Sequence, residues 1–209
     1  MNQLVIDNAL NYAASLVNVP FRWYEADVDA FVGDDKFWCE NSNPPNANEI
    51  FKNDKSIVCA GFPNLIRRRC GLSIPGLNGS IKGEYNEIYK KYPGGTGAWF
   101  LYLHQNKRLE KLSINKKYPK GTLLIARYRD DIVDQGHLAV VYDDLEEHKT
   151  IIDQNVIHAR PFIDYSDRKS HKNHGLVIIE SFSVGNDLWK YDESYYEYVC
   201  LPENWLIVD

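Results

Sequence analysis

The chain has 209 residues, 44% of them hydrophobic and 25% charged, with a net charge of -5. That length supports a substantial buried core, and the acidic balance excludes a protein that binds nucleic acid or acidic membranes through a broad basic field. No run reaches the roughly 20 apolar residues of a membrane span, and the cysteines at 39, 59, 70 and 200 form neither a CxxC pair nor a zinc-like spacing, so no metal or other cofactor is expected.

In chain order, Leu4-Val5-Ile6 meets Asp7 and Asn8 too soon for the apolar region of a signal peptide. A reduced protein is expected, cytoplasmic or delivered without a signal peptide. Residues from about Leu4 to Leu16 carry helical periodicity through Ile6, Ala9 or Leu10, Ala13 and Leu16, and Asn18 ends the helix. Val19-Pro20-Phe21-Arg22-Trp23-Tyr24 reads as extended, because the residue before proline is pushed out of the α region; Phe21 and Trp23 are candidate walls of a substrate cleft or members of the core. From about 25 to 56 the chain is polar, with an Asn/Pro-rich tract, and reads as an insertion that could serve as a lid or substrate loop.

The next stretch, Val58-Cys59-Ala60-Gly61-Phe62-Pro63, opens a helix predicted over about Cys59 to Cys70, with Phe62, Leu65 and Ile66 on its buried face and Gly71 as a left-handed stop. Pro63 fits the first turn, whose N–H groups have no intrahelical partner. A thiol there gains from those N–H groups and from the positive end of the helix dipole, and small neighbours at Ala60 and Gly61 let a substrate carbonyl approach the backbone. Cys59 is therefore a candidate nucleophile, and a buried inert cysteine is the competing reading. Arg67-Arg68-Arg69, the tight basic run, reads as a solvated or salt-bridged face.

A loop from Leu72, a helix over Glu84 to Tyr92 and a further helix capped by Thr96 and ending near Lys107 complete the helical half. Strands are predicted at Thr122 to Tyr128, Gly136 to Asp143, Lys149 to Asp153, Val156 to Arg160, Gly175 to Glu180 and Tyr196 to Leu201. Helices first and strands after imply an α+β fold with an antiparallel sheet packed against helices. The reading is one domain over 1-209, with insertions at about 25-56 and 73-118. His137, opening a strand after Gln135-Gly136, is the best-placed base for Cys59, and His158 on the next strand could orient it. His104, His148, His171 and His174 lie in polar contexts and read as surface residues.

Five pieces in order, Tyr12-Ala13 through Trp23, Val58 to Phe62, Tyr118 to Leu123, Gly136 to Tyr142 and Val156-Ile157-His158-Ala159, resemble the NlpC-type cysteine peptidases. The resemblance spans roughly Ala9 to Glu180. It implies a papain-like core and a thiol-dependent peptidase or amidase, with Cys59 as nucleophile, His137 as base and His158 as third residue; bacterial cell-wall peptides would be its substrates. Asp153 or Gln154 is the alternative third residue, because the span from His137 to His158 is longer than the family's hairpin. The chain departs from wall-peptidase members at Val58, Ala60 and Phe21, where they usually carry Asp, Ser and Tyr. Phe21, Trp23, Ala60 and Gly61 are the expected substrate contacts, a peptide or acyl compound the expected partner. Unless Asp34, Asp35 or Glu40 of the insertion reaches the cleft, nothing would hold a free substrate amine, so a more apolar or longer acyl substrate is expected. The alternatives are an acyltransferase using the same thioester chemistry and an inactive binding module of the same fold.

Overall fold

The computed structural model describes residues 3–21, 31–32, 43–53, 55–91, 93–127, 136–161, 175–185 and 196–207. Helix α1 (Gln3–Ser15) buries Ile6, Ala9, Leu10, Tyr12 and Ala13, the apolar stripe that its periodicity predicts. Asn18 takes a φ of 72°, a left-handed conformation that asparagine tolerates. It turns the chain into an extended passage in which Pro20 bridges Leu176 and Phe21 bridges Ile57. Strand β1 (Phe31–Val32) runs parallel to β2 (Ser56–Ile57). Between them, within the stretch read as a polar insertion, lies α2 (Ala47–Lys52). It begins with a capping box: Asn46 and Glu49 each accept from the other's backbone N–H, a signal hidden beside the Asn/Pro run.

Helix α3 (Gly61–Arg69) starts two residues later than predicted, so Cys59 and Ala60 form the turn that leads into it. Every residue from Gly61 to Arg67 is buried, which makes α3 central rather than amphipathic, and Gly71 ends it at a φ of 75° as expected. Arg67 corrects the reading of the arginine run. It is only 1% exposed, its guanidinium bonded to the carbonyls of Ser73 and Trp205 and to the Tyr102 hydroxyl. Arg69, two residues on, does face solvent, over the ring of Tyr12.

Helix α4 (Asn86–Lys91) follows a 3-10 turn at Gly83–Tyr85, so the predicted helix there is shorter than expected. In α5 (Thr96–Gln105) the N-cap is Gly95, not Thr96; Thr96 is the first helical residue and is buried. Among the described residues, no helix is long and apolar enough to cross a membrane.

The sheet comprises β3 (Glu110–Lys111), β4 (Leu123–Arg127), β5 (Gly136–Val141), β6 (Asn155–Pro161), β7 (Gly175–Ser181) and β8 (Tyr196–Cys200), in the spatial order β3-β8-β4-β5-β6-β7. Its described pairings are all antiparallel, and α6 (Pro202–Trp205) closes the chain. The architecture is therefore α+β, with helices packed on an antiparallel sheet. The strand predicted at Lys149 to Asp153 is instead a 3-10 turn, Ile151–Asp153. Ile151-Ile152 mimics a strand, but Thr150 and Asp153 cap each other's backbone and hold the turn.

Both faces of the sheet are covered, which is why β4 and β5 read as unbroken apolar runs. Leu123, Ile125, Leu138, Val140, Ile157 and Ala159 pack with α1, α3 and α5 in one core cluster. Leu124, Ala126, Ala139, Val141, Val156, Tyr196 and Val199 form a second cluster with Tyr118, Ile151 and Phe182 on the opposite face. Strand alternation puts His137 and His158 on this second face: Ala126 pairs with His137, and Val156 lies two residues before His158.

Candidate active site

Cys59 enters from the helical side of the sheet. Its sulfur lies 3.8 Å from the carbonyl oxygen of Gly136, the residue immediately before His137. Gly136 is required there by space: a Cβ would run into the Ala126 carbonyl and stand 2.6 Å from the Thr96 methyl carbon. The start of α5 and the end of β4 thus pinch the first residue of β5, and a side chain at 136 would push that strand away from the thiol. His137 opens an interior strand, flanked by β4 and β6.

From His137 a polar row runs across β5, β6 and β7. Its Nε2 lies 2.8 Å from Nδ1 of His158, and Nε2 of His158 lies 2.8 Å from Oε1 of Glu180. The guanidinium of Arg160 donates to Oε2 of Glu180 at 2.6 Å and to the Pro161 carbonyl at 3.0 Å. The Tyr196 hydroxyl also approaches Nδ1 of His158, at 3.3 Å. The pleat makes this row possible, since His158 and Arg160 are two apart on β6 and Glu180 lies on the adjacent β7, on the same face.

Burial governs the electrostatics. Desolvation, followed by the charges of its His158 and Arg160 neighbours, pushes the His137 imidazole well below its ordinary range. Burial also lowers His158, against the opposing pull of Glu180. For Glu180 partial burial works against ionisation, but the hydrogen bonds from His158 and Arg160 outweigh it and hold the carboxyl below its usual value. Tyr196 is driven up by desolvation and by the Glu180 and Cys59 charges, so it remains a phenol.

Of the three residues expected to act together, His137 and His158 meet ring to ring, and Cys59 lies against the carbonyl of Gly136, the residue before His137. The alternative third residues are committed elsewhere: Asp153 caps its own turn, and Gln154 bonds the backbone of Tyr118 and the Asp143 carbonyl. Of the expected substrate contacts, Phe21 is fully buried in the core beside Ile57, and Ala60 and Gly61 are buried next to the thiol. Trp23 lies outside the described residues, as do Arg22, Tyr24, Asp34, Asp35, Cys39, Glu40, His171 and His174. His104 is exposed as expected, while His148 is half-buried against Asp143. Arg160, Glu180 and Tyr196 were not singled out from the sequence. The available signal was the period-2 spacing His158-x-Arg160, together with the acid that ends the apolar run Leu176 to Ile179.

Among the described residues no group of three or more His, Cys, Asp or Glu side chains is arranged to hold a metal ion. No protein family model, curated protein or solved structure matches this chain.

Proposed function

We propose that the protein is a thiol-dependent amide or peptide hydrolase with an NlpC-like, papain-like core, in which Cys59 is the nucleophile, His137 the base and His158 its orienting partner. The observations that support this reading are the 2.8 Å contact between the rings of His137 and His158 and a thiol, in the turn before α3, whose sulfur lies 3.8 Å from the carbonyl of the residue before His137. Because burial keeps His137 neutral, the base takes the thiol proton as attack occurs and no stable imidazolium precedes it. The sulfur–carbon bond forms as that proton passes to His137. The imidazolium returns it to the departing nitrogen as the carbon–nitrogen bond breaks. Water then attacks the thioester with the same ring as base, and the thiol is restored.

Bacterial cell-wall peptides are the first substrate class in this reading. Val58 and Ala60 are apolar and buried, so they offer a substrate amine no polar partner, and a longer or N-acylated substrate is favoured over a free-amine one. A second reading, a non-catalytic binding module, draws on Cys59 being only 5% exposed. Iodoacetamide labelling separates the two: selective alkylation of Cys59 over Cys70 and Cys200, followed by product formation from muropeptides or acylated peptides, supports the hydrolase. A thiol that stays unlabelled in the folded protein, with no turnover of either substrate, overturns it.

A further inference from the structure

We infer that Glu180, clamped by Arg160, is a positioning residue that sets the tautomers of both histidines and leaves Nδ1 of His137 as the proton acceptor. The inference rests on the hydrolase reading and specifies how its base is prepared. An ionised carboxylate can only accept hydrogen bonds, so the 2.8 Å contact between Glu180 Oε1 and His158 Nε2 requires the proton of His158 to sit on Nε2. Nδ1 of a neutral His158 is then an acceptor. The 2.8 Å contact from His137 Nε2 must therefore be a donation, which places the His137 proton on Nε2 and the lone pair on Nδ1. The Tyr196 hydroxyl, 3.3 Å from the same His158 nitrogen, can also donate and agrees with an acceptor there.

Arg160 holds the second oxygen of Glu180 at 2.6 Å, fixing the carboxylate plane. The helical turn at residues 182–185 closes over the row: a Cβ on Gly185 would stand 3.3 Å from Glu180 Oε1 and 3.4 Å from His158 Cε1. The thiol never touches Glu180 in this scheme. The carboxylate acts through two rings, at the far end of the row from Cys59.

The test is the ring protonation itself, read by long-range proton–nitrogen correlation on nitrogen-15-labelled protein at pH 8, paired with the rate of Cys59 alkylation by iodoacetamide. In the wild type both rings are expected to carry the proton on Nε2. A proton on Nδ1 of either histidine overturns the inference without any mutant. Glu180→Gln offers an amide that can donate or accept, so it should mix the His158 tautomers and slow alkylation roughly tenfold to a hundredfold, less than the ~10⁴-fold lost when a residue bonded directly to a catalytic histidine is changed. Glu180→Asp keeps the carboxylate and should restore both the tautomers and most of the rate, which a purely structural role for Glu180 would not predict. Unchanged tautomers and an unchanged rate in Glu180→Gln would overturn the inference. If that variant does not fold, the wild-type and Glu180→Asp spectra decide. A wild-type Cys59 that does not react would defeat the hydrolase reading alone, because the tautomer measurement does not depend on it.

Discussion

Two buried arginines, Arg67 and Arg160, show how one side-chain type does two different jobs in this chain. Arg67 reaches from α3 to carbonyls in the loop after it and at Trp205, and to the Tyr102 hydroxyl on α5, with its guanidinium over the rings of Trp99 and Tyr102. It ties α3 to α5 and to the C-terminal segment, so its worth is in stability. Arg160 spends its donors on the carboxylate of Glu180 and the next carbonyl, at one end of a row of ionisable groups. A guanidinium that meets neutral carbonyls fixes geometry, whereas one that meets a carboxylate also sets the charge to which a neighbouring imidazole responds.

The comparison can be broken by separating activity from stability. The largest effect is expected from Cys59→Ala, which should abolish probe labelling and turnover, a loss of at least about 10⁴-fold, because it removes the proposed nucleophile. Its melting temperature should stay within a few degrees of wild type, since a thiol-to-methyl change costs little packing. Residual turnover in a folded Cys59→Ala protein would remove the nucleophile assignment. Arg67→Met should do the reverse. Keeping the volume but taking the donor from two carbonyls, at ~1–3 kcal/mol each, while the Tyr102 hydroxyl keeps its 2.9 Å bond from Arg108, it should cost roughly 3 kcal/mol in urea unfolding. Its activity per folded molecule should fall within about twofold of wild type, and a selective loss of turnover would show that Arg67 belongs to the site.

Acid should expose the other arm of the comparison. His137 and His158 both bind protons less readily in the fold than in the unfolded chain. Below about pH 6.5 the unfolded state therefore takes up protons that the native state refuses, and stability is fully present above that value and lost as pH falls through it. The slope is at most about 1.4 kcal/mol per pH unit for each histidine. Glu180, whose folded value is lowered, adds a further loss as pH falls below the ordinary carboxyl range. Unfolding curves at pH 8, 6.5 and 5 measure this, and a stability that does not fall between pH 6.5 and 5 would show that the histidines are not held neutral.

The smallest change is expected at Arg69, two residues along from Arg67 but facing solvent. Its contacts are the Tyr12 ring and a 3.3 Å bond to Asn43. Arg69→Ala should cost under about 1 kcal/mol in the same unfolding assay. A loss comparable to Arg67→Met would mean that the two neighbours are not distinguished by burial.

Much of the fold was legible from local signals. The periodicity of α1, Pro63 and Gly71 near the two ends of the helix after Cys59, the Gly136-His137 strand opening and the concentration of sheet strands in the second half all follow from backbone sterics and apolar spacing, and the structure carries each of them. Val58 to Gly61 and the two histidines could be marked as candidates because a thiol beside small residues and a histidine opening an apolar strand are recognisable from residue type alone. The short helix after Asn46 was missed although its capping box was present, and Ile151-Ile152 misled because two β-branched residues resemble a strand until their flanking caps are considered. Strand order, by contrast, is a matter of which distant segments pair. Only the pairing of β5 with β6 and of β6 with β7 decides that His158, and not Asp153 or Gln154, meets His137, and that Arg160 and Glu180 complete the row. The same is true of Phe21 and Arg67: the sequence specifies an aromatic and a cation, and only packing against elements far along the chain determines that both lie inside.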